Sequence, residues 1–264
     1  MMPTTNTDLN QVLLQLVHHL QDVLQDDLVS VYLQGSFGLG NWDEHSDVDV
    51  SIVVQNELDE NTIGKLQHMH ADLFGLASPW AQHLEGSYFP CAVLDKVNLD
   101  TPLWYLDNGS SQLIQSTHDN TLVVRWVTRE HGISLFGPPA NTLIPLVEAT
   151  SLKQEVKTTM HTWSHRIFAG SYTIANQWAQ PFAVVSYCRM LHTLATGRID
   201  SKPAGAQWAQ QALDSKWHEL ISQSWEARPN PSLKVKQPAR DEDIAATKAF
   251  IRYALERAED MINS

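Results

Sequence analysis

Two cysteines, Cys91 and Cys188, are all that the 264 residues contain. That is too few for a disulfide framework, and two isolated core thiols fit a reducing compartment. No apolar run approaches the roughly 18 residues needed to span a bilayer. Met1 to Asn10 carries no basic leader, so the expectation is a cytoplasmic protein without a secretory route. Without that route the glycosylation-type triplet Asn108-Gly-Ser is idle. Basic residues are missing where acidic ones are plentiful. None precedes Lys65, and residues 1–150 hold 19 Asp and Glu against 4 Lys and Arg. Residues 151–264 reverse the balance with 11 against 14, for a net charge of -12 overall. Such a charge argues against general affinity for nucleic acid or acidic membranes. One further absence is local: residues 156–199 contain no Asp or Glu. Repeats, a Walker loop, a kinase catalytic loop and a G-x-G-x-x-G turn are also lacking.

What is present is a chain of two characters. Apolar residues make up 43% and charged residues 18%, enough for packed cores. Leu13, Leu16, Val17, Leu20, Val23 and Leu24 recur at helical spacing, predicting a helix over about 8–27 capped by Thr7 or Asp8. Val29, Val31 and Leu33 alternate as a strand running into Gly35-Ser36. A glycine-rich connection (37–45) leads to a second strand, Val48 to Val54. A helix within 58–75, a strand over Leu84 to Leu94 and a helix over 119–131 complete this half. Gly137-Pro-Pro-Ala and the region of Pro145 read as a connection. Beyond it the period is helical: Leu152, Val156, Met160, Trp163 and Ile167 mark one helix and Phe182 to His192 another, followed by 203–213, 216–226 and 241–262. The expected domains are therefore 1–150, with a mixed sheet flanked by helices, and 151–264, an all-helical bundle: an α+β protein.

Chemistry is concentrated in Gln34-Gly-Ser-Phe-Gly-Leu-Gly-Asn-Trp-Asp-Glu-His-Ser-Asp-Val-Asp-Val. Asp47 and Asp49 are two apart in extended chain, so their carboxylates project the same way. Two like charges leaving an apolar strand repel each other unless a cation joins them. Mg²⁺ suits such a pair, completing its octahedron with water and phosphate oxygens. Gly35-Ser36 brings backbone N–H groups and a hydroxyl near a phosphate, and Ser46 offers a second hydroxyl. Twelve histidines raise zinc, but His161 and His165 lack Cys or Glu partners, and His18-His19, His68 and His70 lack a third ligand.

This pattern resembles the nucleotidyltransferase superfamily that includes DNA polymerase β, in which Gly-Ser and Asp-x-Asp hold a metal–nucleotide complex beside a third carboxylate from a later strand. Glu85 matches that position, as the only acidic residue between Asp72 and Asp95. Two more segments carry the likeness further: His131-Gly-Ile-Ser-Leu-Phe-Gly-Pro-Pro-Ala, and Arg189-Met-Leu-His-Thr-Leu-Ala-Thr-Gly-Arg-Ile-Asp-Ser-Lys202. They look like those of the aminoglycoside (streptomycin/spectinomycin) adenylyltransferases, and essentially the whole chain follows that family's plan. The resemblance implies that Asp47, Asp49 and Glu85 hold metal, that Glu85 is the catalytic base, and that Arg189 and Lys202 contact ATP phosphates. Gly35, Ser36 and Ser46 would then complete the nucleotide site. A monomer acting on ATP and a small-molecule hydroxyl is expected, with Mg²⁺ as cofactor and neither nucleic acid nor membrane as partner.

One departure bears on the acceptor. Antibiotic-modifying members use acidic residues shortly before the arginine helix, whereas Tyr172-Thr-Ile-Ala-Asn-Gln-Trp-Ala-Gln-Pro-Phe is neutral here. Asn176, Gln177, Trp178 and Gln180 would suit a neutral polar acceptor, or serve as core and cap residues. Trp225 lies where a side chain of the helical half would stack on adenine, or simply pack. Three acceptor classes remain open: an aminoglycoside or aminocyclitol, another small molecule, and a protein hydroxyl. A non-catalytic ATP-binding module is the remaining alternative.

Overall fold

The structure is a computed structural model describing residues 2–44, 46–227 and 237–263. The chain divides into two compact units, Met1–Leu146 and Val147–Ser264. In the first, a six-stranded sheet has the order β5-β4-β3-β2-β1-β6. Its strands are β1 (Leu28–Leu33), β2 (Val48–Val54), β3 (Leu84–Pro90), β4 (Leu103–Leu106), β5 (Leu113–Ser116) and β6 (Ile133–Phe136). Only β2 and β3 run parallel; the other neighbours are antiparallel. A parallel pair needs a crossover, and α3 (Glu60–Phe74) supplies it.

Strand alternation sorts the two faces of the sheet. Val48, Val50, Ile52 and Val54 join Leu9, Leu13, Leu16 and Leu20 of α1 (Thr7–Leu24), together with Leu66 and Leu73 of α3, in one core. Val53 and Phe89 point to the other face, where Tyr32, Val93, Leu94 and Ile144 form a second cluster. Asp49 shares the parity of Val53, and Glu85 that of Phe89. Both carboxylates thus leave the second face, at the end where the apolar cluster stops. Asn6, rather than Thr7 or Asp8, caps α1 by accepting from Leu9 N at 3.0 Å.

Several elements differ from their predicted form. The glycine-rich connection opens with a single helical turn, α2 (Gly35–Gly38). The third strand stops at Pro90 and turns into α4 (Cys91–Asp95), and the helix predicted from 119 begins at Leu122 as α5 (Leu122–His131), capped by Thr121. β4, β5 and β6 escape prediction, because four residues are too few for alternation to register. α6 (Ala140–Leu143) interrupts the expected connection.

The second unit consists of α7 (Ala149–Phe168), α8 (Ala179–Thr196), α9 (Lys202–Ala212), α10 (His218–Glu226) and α11 (Asp241–Asn263). α8 is its axis, buried along most of its length from Ala179 to Leu194. A helix apolar on most sides must be surrounded. α7 packs on it through Trp163, stacked on Tyr187 at 5.3 Å, and α11 through Thr247, which accepts from Gln180 Nε2 at 2.7 Å. Gly197, at φ 71°, ends α8 in the left-handed conformation, and Ser201 caps α9. No helix among the described residues is long and apolar enough to cross a membrane.

Candidate active site

β1 delivers the chain into Gly35-Ser36, and β2 returns beside it: Gln34 N donates to the Asp49 carbonyl at 2.9 Å. Gly35 sits at φ 58°, and a Cβ there would collide with the Asp49 carboxylate. Glycine is therefore required twice over, for its backbone angle and for the approach of that carboxylate. Ser36 Oγ is buried without a hydrogen-bond partner. A buried hydroxyl left without a partner, one residue from the glycine that the Asp49 carboxylate approaches, is consistent with a site for a ligand.

Asp47 lies one residue ahead of β2, outside the strand in which the sequence reading places it with Asp49. Asp47 and Asp49 are half-buried while Ser46, Val48 and Val50 are buried. Asp49 and Glu85 are register partners across the parallel β2–β3 pair. Ser46 closes the loop ahead of the strand: its Oγ accepts from Asp43 N at 2.9 Å and lies 3.3 Å from Asp43 Oδ1.

Glu85 is the most perturbed of these groups. Burial pushes its pKa up to about 7, the Tyr105 hydrogen bond opposes the rise, and the charges of Asp47, Asp119 and Asp107 add to it. Tyr105 Oη donates to Glu85 Oε1 at 2.6 Å and lies 3.1 Å from Asp107 Oδ1. His118 Nε2 is 3.5 Å from Glu85 Oε1. Asp119, also raised by burial, accepts from Ser87 Oγ at 2.9 Å. Ligand atoms of Glu85, His118 and Asp119 lie within 4.8 Å of one another. On the other side, Asp47 Oδ1 accepts from Asn108 Nδ2 at 2.5 Å, and Asn108 Oδ1 lies 3.1 Å from His83 Nδ1. Such a concentration of carboxylates suits a divalent cation, and an oxygen-rich donor set with one imidazole beside it favours a hard one.

Tyr105, Asn108 and the His118-Asp119 pair do not stand out in the sequence. Tyr105 belongs to a strand too short to recognise. Asn108 carries a usable signal, Asn-Gly as a turn, hidden behind its glycosylation-type triplet.

Two of the four basic residues of the first unit have structural duties. Arg125 is 2% exposed and donates to the carbonyls of Val93 and Leu94 and to Asn120 Oδ1. Arg129 holds the carbonyls of Asn141 and Ile144. In the second unit, Arg189 is half-buried on α8 and Lys202 opens α9. α9 packs against the Arg189 backbone at Gly205, and Lys202 Nζ lies 5.5 Å from the Phe182 ring centre. The neutral stretch is occupied by the fold. Asn176 Oδ1 accepts from Trp178 N and Ala179 N, Trp178 stacks on Phe182 at 5.0 Å, and Gln180 is buried against Thr247. Trp225 is half-buried on α10, and His161 pairs with Glu259 at 3.0 Å.

Comparison with known proteins defines the class. Residues 16–80 match the nucleotidyltransferase domain, spanning the turn and both aspartates. The solved structure of a spectinomycin adenyltransferase from Enterococcus faecialis, with ATP and spectinomycin, shares the fold: TM-score 0.71, 14% identity, 94% of this chain and 98% of that one. The protein is a nucleotidyltransferase enzyme. Residues 142–257 match the C-terminal domain of aminoglycoside adenylyltransferases. A spectinomycin 9-adenylyltransferase of Staphylococcus aureus is 26% identical over 220 residues, covering 79% of this chain and 80% of the relative. An aminoglycoside (3'') (9) adenylyltransferase of Escherichia coli is 25% identical over 236 residues, 84% of each. The chain is thus similar to aminoglycoside adenylyltransferases over most of its length.

Proposed function

We propose that the protein transfers AMP from ATP to a hydroxyl of an aminoglycoside or aminocyclitol, such as streptomycin or spectinomycin, and releases pyrophosphate. The observation that supports this reading is the Asp49–Glu85 register pair, with the Asp49 carboxylate against Gly35, the charge of Asp47 acting on Glu85 and the Ser36 hydroxyl orphaned. In this reading residues 1–150 form the nucleotidyltransferase domain and residues 151–264 complete the nucleotide and acceptor sites. Asp47, Asp49 and Glu85 hold Mg²⁺, which when bound neutralises charge on the triphosphate and the departing pyrophosphate. Gly35, Ser36 and Ser46 bind phosphate oxygens. Arg189 and Lys202 supply the positive charge that Arg125 and Arg129, engaged with backbone carbonyls, do not.

Glu85 takes the proton from the acceptor hydroxyl as its oxygen attacks the α-phosphorus. The new O–P bond forms as the bond to the β-phosphate breaks, and the electron pair leaves with pyrophosphate. A carboxylate whose pKa is pushed up to about 7 is a stronger base than an exposed one, and about half of it is ionised in neutral solution. The enzyme acts as a cytoplasmic monomer, with neither nucleic acid nor membrane as partner. Pyrophosphate release is measured with ATP, Mg²⁺ and a panel of antibiotics, and ATP affinity in Mg²⁺ by calorimetry. Release with an aminocyclitol or aminoglycoside, and weakened ATP binding in Asp47→Asn, are expected. Unchanged ATP affinity in that variant, with no acceptor active, refutes the assignment.

A further inference from the structure

The triplet Asn108-Gly-Ser, idle as a glycosylation signal, holds one of the metal-site carboxylates. Asp107 to Ser110 form a tight turn closed by Ser110 N donating to the Asp107 carbonyl at 2.9 Å, with Gly109 at φ 74°. Glycine takes that positive-φ third position without strain. Gly109 N also donates to the Gln82 carbonyl at 3.0 Å, tying the turn to the residue before His83. Asn108 is thereby fixed between Asp47 Oδ1, at 2.5 Å from its Nδ2, and His83 Nδ1, at 3.1 Å from its Oδ1. His83 itself is 7% exposed and stands two residues before Glu85.

The chemistry of the three groups fixes their orientations. An ionised carboxylate only accepts, so the amide nitrogen of Asn108 must face Asp47. The amide oxygen then faces His83, which must carry its proton on Nδ1 in order to donate. A buried imidazole thus sets the amide, and the amide sets the plane of the Asp47 carboxylate. Groups that orient metal ligands in this way typically contribute 10–100-fold to metal affinity or activity.

We infer that Asn108, clamped by His83, is a positioning residue that holds Asp47 in the orientation metal binding requires. The inference rests on the proposed function, which places Asp47 at the metal. Mn²⁺ alone is titrated into the full chain and followed by electron paramagnetic resonance, for the wild type, Asn108→Ala and Asp47→Asn. Asn108→Ala should weaken Mn²⁺ binding about tenfold or more, and Asp47→Asn at least as much. Nitrogen-15 NMR of the imidazole should show the Nδ1–H tautomer of His83 in the wild type and its loss in Asn108→Ala. A role confined to the fold would lower the urea midpoint without moving the Mn²⁺ affinity, and that result overturns the inference. If Asn108→Ala does not fold, Asn108→Ser keeps a turn-compatible residue and carries the same test. Wild-type Mn²⁺ affinity in the Asn108 variant, with binding lost in Asp47→Asn, refutes the positioning role alone. Wild-type affinity in Asp47→Asn refutes the metal assignment itself, and the inference with it.

Discussion

Asp49 and Glu85 are register partners on the parallel strands β2 and β3, and the carboxylate of Asp49 lies against Gly35. Three chain segments are thereby drawn to one end of the central strands: the turn after β1, the start of β2 and the start of β3. Parity of alternation places both carboxylates on the same face, and the crossover helix α3 makes the strands neighbours.

The first prediction concerns that contact. Gly35→Ala forces a left-handed backbone on a residue with a Cβ, at about 1–2 kcal/mol, and pushes the Asp49 carboxylate aside. Urea unfolding should show a loss of at least about 1 kcal/mol, and Mn²⁺ binding should weaken in parallel.

A second prediction separates proton transfer from nucleotide binding. Glu85→Gln keeps the shape of the side chain and removes the base, so kcat should fall about 10²–10⁴-fold. ATP affinity by calorimetry should weaken too, since Glu85 is also assigned to the metal, but by a much smaller factor.

Stability should depend on pH through two groups of opposite sign. Glu85 holds its proton in the folded state up to about pH 7 while the unfolded chain releases it near 4.5, so stability falls as pH rises through that window. His70 is buried and its pKa is lowered from 6.5 to about 4; the unfolded chain binds that proton first, so stability falls as pH drops through that window. The two trends oppose each other in the wild type. Glu85→Gln removes the first, so in EDTA its stability relative to wild type should rise by about 2 kcal/mol between about pH 5 and about pH 8, read by urea unfolding.

The two thiols should react at very different rates. Burial pushes the Cys188 thiol up to about 12 and encloses it, whereas Cys91 is half-buried, its thiol raised to a lesser degree. A thiol reagent should label Cys91 in the native protein and Cys188 only on unfolding. Equal native rates would contradict the packing around α8.

Much of this is legible in the sequence, for reasons that local pattern can carry. The run from Val48 to Val54 and the helices of the second unit show their periods plainly, and Gly35-Ser36 with Asp47 and Asp49 lies within fifteen residues of chain. What stays hidden depends on contacts between distant segments. Asn108 meets Asp47 from 61 positions away, and Tyr105 reaches Glu85 from 20. The strand carrying Tyr105 has four residues, too few for a period of two to declare itself. By composition alone the neutral residues near 176–180 suit either an acceptor surface or core and cap positions. The hydrogen bonds of Asn176 and Gln180 give them the second role.

The most direct test is mass spectrometry of spectinomycin and streptomycin incubated with the enzyme, ATP and Mg²⁺. An acceptor that gains one adenylyl group with the wild type, and none with Glu85→Gln, is the predicted result. Unmodified acceptors with folded, ATP-binding wild-type protein would contradict it.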